Sequence, residues 1–199
     1  MGNDRSQALK QIREEVQNLK ESPLYQERVN NQTLPVIGEG SHNAQWMFIG
    51  EAPGRNEAKT GRPFCGSAGK ILDDLLTSIG VKREAVYITN IVKDRPPSNR
   101  DPLPEEIAIY GPFLDRQIDI IEPLVIVTLG RFSMSYIMEK QNLQDSLQPI
   151  SELHGQVLES KSNNPVKVAV MYHPAAAIYN PKIKKVLQND FQILPSLIK

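Results

Sequence analysis

Between Pro123 and Gly130 the chain reads Leu124-Val125-Ile126-Val127-Thr128-Leu129, an apolar run with no charge and no polar alternation. A strand with one wet face alternates; a strand covered on both faces does not. The run is read as a buried strand of a parallel sheet with helices on both sides. Three further strands fit the same sheet: residues 45–50, 85–92 and 166–172. Helical spacing of apolar residues predicts helices between them, over residues 6–20, 67–79, 104–122, 131–139 and 181–194. Ser67 is expected to cap the second of these, with Ile71, Leu72, Leu75 and Leu76 on its buried face and Gly80 at its end. Residues 141–164 are ambiguous and can hold a β-excursion around Gln156-Val157-Leu158. The expected fold is an α/β three-layer sandwich on a central, mainly parallel four-stranded sheet. One domain spans residues 1–199, with the helix within residues 1–22 packed onto it.

In such folds the loops at the carboxyl ends of the strands converge on one crevice. Here Gly50-Glu51-Ala52-Pro53-Gly54, then Asn90 and a Pro-rich stretch, then His173-Pro174-Ala175-Ala176 each follow a strand. A carboxylate, an amide and an imidazole are therefore expected in one pocket. Each residue has two readings on its own. The glycines allow a ligand close to the backbone, or make a turn. Phe64, between Pro63 and Cys65, is a core plug or a stacking platform for a planar ligand. Asn90 ties down the next loop, or presents a donor and an acceptor to the edge of a pyrimidine or amide. His173 is a satisfied structural histidine, or serves proton transfer or anion stabilisation. His42 and His154 have no such placement.

Composition excludes other classes. No apolar run approaches the ~18 residues of a membrane span, and no signal-peptide core follows the N-terminus. Cys65 is the lone cysteine, so no internal disulfide forms, and a reducing, cytoplasmic setting is expected. No metal-ligand spacing, G-x-S-x-G elbow, Walker A loop or dinucleotide fingerprint is present. Lys plus Arg equals Asp plus Glu at 23 each, so no global field attracts DNA. Basic residues nevertheless cluster beside the three loops: Arg55, Lys59 and Arg62; Lys93, Arg95 and Arg100; Lys182, Lys184 and Lys185. These favour phosphate contacts, with Arg62, Lys93, Arg95, Arg100 and Lys184 as candidates.

Four segments together carry a resemblance: GEAPGRNEAKTGRPFCGSAGKILDDLL, VYITNIVKDRPPSNRDPLP, LVIVTLG and HPAAAIYNP. In this order they resemble the family-four uracil-DNA glycosylases. The resemblance implies an enzyme that flips uracil from single- or double-stranded DNA and hydrolyses its N-glycosidic bond. It would leave an abasic site and release free uracil. It implies that Phe64 stacks on the base, Asn90 bonds its Watson–Crick edge, and Glu57 sits near C5 to exclude thymine. His173 would donate to the uracil oxygen that gains charge. Glu51 would position water or stabilise the cationic sugar, and Asn99 would shape the pocket or hold the water. Ala177 and Ile178 would probe or wedge the duplex. Ala52 stands where the superfamily's most active branch has a water-activating Asp, and Tyr179 where Arg is common.

Family-four enzymes usually hold an iron–sulfur cluster on four cysteines. Leu19, Ser22, Asp94 and Tyr110 occupy those places here. No cluster, metal or other cofactor is expected. Packing of Leu19 and Tyr110, with the prolines from Pro96 to Pro104, is expected to replace it. A monomer without membrane contact is expected. The alternative is a silent or covalently trapping uracil-DNA binder; trapping uses a histidine in the loop after Asn90, and residues 94–100 contain none. A phosphate-binding or structural α/β module is a third reading, which requires these matches to be coincidental.

Overall fold

The computed structural model describes residues 2–161, 165–178 and 180–198; Tyr179 lies outside them. The helices are α1 Gly2–Gln17, α2 Tyr25–Asn30, α3 Arg55–Thr60, α4 Ser67–Ser78, α5 Pro104–Ile121, α6 Arg131–Lys140, α7 Ile150–Leu153 and α8 Pro181–Phe191. The strands are β1 Glu39–Gly40, β2 Trp46–Gly50, β3 Tyr87–Asn90, β4 Val125–Leu129, β5 Val157–Glu159 and β6 Lys167–Met171.

Among the described residues the sheet has six strands in the order β1-β3-β2-β4-β6-β5, not four. The four expected strands are its parallel centre, and β1 and β5 add antiparallel edges. β5 is the excursion expected near Val157. β1 carries no apolar pattern: it is held by backbone pairing of Glu39 with Ile88 and Gly40 with Tyr87. A side chain at Gly40 would meet the Val86 carbonyl oxygen at 1.8 Å, so only glycine lets this edge form.

The period of two along each strand sorts side chains to opposite faces. Met47, Ile49, Tyr87, Ile126, Val168 and Val170 pack with Leu9, Ile12 and Val16 of α1, Leu114 of α5 and Ile137 of α6. Phe48, Ile88, Val127, Ala169 and Met171 pack with Leu72, Leu75 and Leu76 of α4 and Leu187 and Phe191 of α8. These are the two outer layers. Every residue of β4 is buried, as its unbroken apolar run requires; Leu124, just before it, stays half exposed.

One local expectation changes, and one helix appears that the spacing did not predict. The N-cap of α4 is Gly66, not Ser67, so the cap residue has no side chain of its own to offer. The cap is supplied from afar, by Glu57 Oε1 accepting from the N–H of Gly66 at 2.8 Å and of Cys65 at 2.9 Å. Residues 55–60 form a helix. With Ala58 as its one buried residue, α3 shows no helical periodicity, and Gly61 ends it at φ 71°.

Register places Gly50 opposite Asn90, and Leu129 opposite Met171. The carboxyl ends of all four parallel strands are therefore level, and the loops that follow them meet on one edge.

Candidate active site

At that edge lies a cavity of about 300 Å³, lined by Glu51, Ala52, Glu57, Phe64, Asn90, Asn99 and His173 among others. The three loops do converge, and Phe64 joins them.

Asn90 is the last residue of β3 and is buried. Its Oδ1 is buried with no hydrogen-bond partner among the described residues. Buried amide oxygens are nearly always satisfied, so an orphan facing a cavity calls for a ligand N–H. Gly50 makes room for it: a Cβ there would lie 2.3 Å from Asn90 Oδ1 and 2.7 Å from Phe64 Cζ.

Phe64 sits at φ 47°, a strained value for a side chain of this kind. Its backbone is clamped by α4, where a Cβ on Gly69 would come within 1.8 Å of the Phe64 carbonyl oxygen. The ring both joins the core and lines the cavity, so the two readings of Phe64 are one arrangement. Its centroid is 5.5 Å from that of His173, with the rings inclined at 30°.

His173 precedes a 3₁₀ turn, and its Nδ1 accepts from the N–H of Ala175 at 3.1 Å. That bond assigns the lone pair to Nδ1 and the hydrogen to Nε2. Burial pushes its pKa down to about 4, against a small opposing pull from Glu57. Near neutral pH this is an uncharged ring with one N–H to donate. His42 and His154 lie elsewhere, bonded to Ser6 and Asp190.

Glu51 is lifted to about 7 by burial and then by the Asp101 carboxylate, with Arg131 acting in the opposite sense. Its carboxylate has no hydrogen-bond partner among the described residues. Asn99, at φ 55°, accepts at Oδ1 from Arg95 Nε at 2.6 Å. Glu57 lines the cavity with Oε1 fixed by two backbone N–H groups, as described above.

The proposed phosphate contacts divide. Lys93 is fully buried and cannot reach DNA. Its Nζ donates to Thr89 Oγ1 at 2.9 Å and to the Asn90 carbonyl at 2.6 Å, with Gln117 Oε1 at 2.5 Å. Arg100 forks onto the buried carboxylate of Glu106 at 2.9 and 2.6 Å, and Arg62 onto Glu39 at 2.7 and 2.8 Å. Lys184 is exposed, 3.9 Å from Asp74. Ala177 is buried in the core and cannot wedge a duplex, whereas Ile178 is exposed beside it. Arg131 was not anticipated. It starts α6 directly after β4, pairs with Asp101 and acts on Glu51. The level end of the fourth strand was the signal for it.

The positions of Leu19, Ser22, Asp94 and Tyr110 do not fit an iron–sulfur cluster. They offer no thiolate, and their polar atoms are hydrogen-bonded to one another: Ser22 Oγ to the Tyr110 hydroxyl at 2.7 Å, and that hydroxyl to Asp94 Oδ2 at 2.6 Å. More than packing therefore joins this region.

The sequence model described as "Uracil DNA glycosylase superfamily" matches residues 37–193. The chain is 47% identical to the type-4 uracil-DNA glycosylase of Sulfurisphaera tokodaii over 96% of its own length and 84% of that protein's. It is 42% identical to that of Archaeoglobus fulgidus over 96% and 94%, and 46% identical to that of Saccharolobus solfataricus over 91% and 82%. Fold, site and sequence agree, and the chain belongs to the uracil-DNA glycosylase superfamily.

Proposed function

We propose that this protein is a monofunctional uracil-DNA glycosylase, which extrudes uracil from DNA, hydrolyses its N-glycosidic bond and leaves an abasic site. The observation that carries the reading is the orphaned Oδ1 of Asn90, in a cavity that also holds the Phe64 ring and a neutral His173. Uracil is planar and has an N–H between two carbonyls. A base must leave the stack before an enzyme can reach its glycosidic bond. Once extruded, it would lie against Phe64, with its N3–H on Asn90 Oδ1 and O4 on the Asn90 amide nitrogen. Cytosine, which has a lone pair at N3, would face that oxygen with like polarity. The fixed carboxylate of Glu57 is assigned to the C5 edge, where it excludes the methyl group of thymine.

Bond cleavage makes the sugar positive and the departing base negative. A donor at O2 and a carboxylate near the sugar match both charges as they develop. The Nε2–H of His173 serves the first. As a neutral donor it costs no proton and leaves uracil as an anion. Glu51 serves the second in its ionised form. It also accepts from the attacking water, since its carboxylate has no partner among the described residues whereas Asn99 Oδ1 already accepts from Arg95 Nε. Asn99 then has its amide N–H groups left to shape the pocket.

The same reading includes no iron–sulfur cluster or other cofactor, a monomer, and a cytoplasmic setting in keeping with the lone Cys65. Its DNA face would use Arg62, Arg95, Arg131, Lys184 and the exposed Ile178, and residues 1–199 would act as one domain.

The test uses labelled single- and double-stranded oligonucleotides bearing one uracil, treated with alkali after incubation. Strand scission by the wild type, abolished in His173→Ala and Asn90→Ala, is expected. A denaturation-resistant shifted band would mean trapping instead, and wild-type rates in both variants would overturn the site assignment. Iron and sulfide assays on anaerobically purified protein should be blank.

A further inference from the structure

Residues 91–103 run from β3 to α5, and Pro96, Asn99 and Arg100 of this stretch line the cavity. Nothing in the stretch is regular apart from one short turn with Ser98 and Asn99 both at positive φ. Such a backbone keeps one shape only if something outside it fixes the shape.

The fixing point is Asp94, which is 1% exposed. Its two oxygens accept from Arg28 Nη1 at 3.2 and 2.9 Å, and Oδ2 also accepts the Tyr110 hydroxyl at 2.6 Å. With the Tyr110 proton committed to Asp94, the Ser22 hydroxyl donates to the Tyr110 oxygen, and Ser22 Oγ in turn accepts the N–H of Leu24 at 3.1 Å. Arg28 donates onward to the carbonyls of Val16 at 3.1 Å and Gln17 at 2.6 Å. Those carbonyls end α1, which has no basic residue in its last turn. Arg28 thus supplies the cation that a helix C-terminus favours. Every named donor has an acceptor, so the chain of bonds has one arrangement rather than several.

We propose that Arg28, Asp94, Tyr110 and Ser22 are positioning residues that hold the Asn90–Arg100 loop in catalytic register. The network joins α1, the turn before α2, α2 itself and α5 to this loop. A buried ion pair adds little net stability compared with apolar packing, and here its contribution is to fix one geometry of the loop through the bonds Arg28 and Asp94 make to α1 and α5. Its effect therefore falls on the loop and on turnover more than on global stability. The catalytic part of the inference rests on the glycosylase reading; the structural part does not.

Tyr110→Phe removes one hydroxyl and keeps the ring. It should lower kcat about ten-fold, the size of one charge-assisted hydrogen bond, with KM for the oligonucleotide unchanged. Amide hydrogen exchange should accelerate in residues 93–100 and stay at wild-type rates in β4 and β6. Ser22→Ala should act in the same direction and Ser22→Thr should restore it. The double variant Ser22→Ala, Tyr110→Phe should be slowed by less than the product of the two single effects, because Ser22 and Tyr110 share one hydrogen bond. Wild-type kcat and loop exchange in Tyr110→Phe would overturn the proposal, as would uniform loss of protection across the sheet or a stoichiometric cluster in the wild type. If the wild type cuts no uracil-DNA, the glycosylase reading fails while the exchange pattern still decides the network.

Discussion

Replacing Glu51 by Gln is expected to make the protein more stable and less active at once. The folded environment lifts the Glu51 pKa from 4.5 to about 7, through burial first and the Asp101 carboxylate second. A carboxyl raised in this way holds a proton in the folded state that the unfolded chain has lost. Its stabilising contribution is complete below 4.5, falls as pH rises, and is gone above about 7. At ~1.4 kcal/mol per pH unit the interval corresponds to ~3 kcal/mol, and water in the open cavity reduces this to ~2 kcal/mol. Gln has the shape and no charge to desolvate. The stability of Glu51→Gln relative to wild type should therefore improve by ~2 kcal/mol between pH 4.5 and pH 8.5, measured by urea denaturation at both. Single-turnover uracil excision should show the converse. The wild-type rate should fall about ten-fold per pH unit below about 7, as the ionised fraction does. His173, neutral down to about 4, adds no limb in this range. The Gln variant should be slow and flat. A stability difference that is the same at both pH values, or a variant that keeps the acid limb, would refute the reasoning.

Gly50→Ala places a methyl group 2.3 Å from Asn90 Oδ1 and 2.7 Å from Phe64 Cζ. Displacement of either should cost on the order of 100-fold in excision rate, with DNA affinity kept, as gel-shift and single-turnover assays would record. Lys93→Met should leave the salt dependence of DNA binding unchanged, where loss of a phosphate contact would lower its slope by about one; the change should appear in kcat, because Lys93 holds the Asn90 carbonyl. Nitrogen-15 NMR of His173 should report a neutral ring protonated on Nε2 from pH 8 down to about pH 5.

Much of the frame was legible in the chain. The unbroken apolar runs at β4 and its neighbours β2 and β6, and the helical spacing at α4 and α8, are burial requirements written residue by residue. They decide which faces are covered and therefore that the strand ends line up. β1 and α3 were not legible, because neither buries a patterned face. One is held by backbone pairing and glycine, the other by Ala58, Gly61 and bonds to distant residues. Glu51, Asn90 and His173 were found as neighbours of one pocket from their positions after strands alone, whereas Phe64 kept two readings until the resemblance placed it there.

What each of them does is another matter. A lysine reads the same whether it faces phosphate or the interior. Lys93 is interior because Gln117, on α5, and Thr89 offer it acceptors there. Ala177 reads as a loop tip and lies in the core. Arg28 and Asp94 are 66 residues apart, and no local pattern couples them. The sequence by itself determined the layers and the identity of the pocket, since burial and periodicity depend on neighbours along the chain. Only the tertiary structure decided the proton on His173, the raised Glu51, the orphaned oxygen of Asn90 and the ion pair behind the loop. Charge states and hydrogen bonds depend on distance and local dielectric, and those are set by atoms that the chain brings together from far apart.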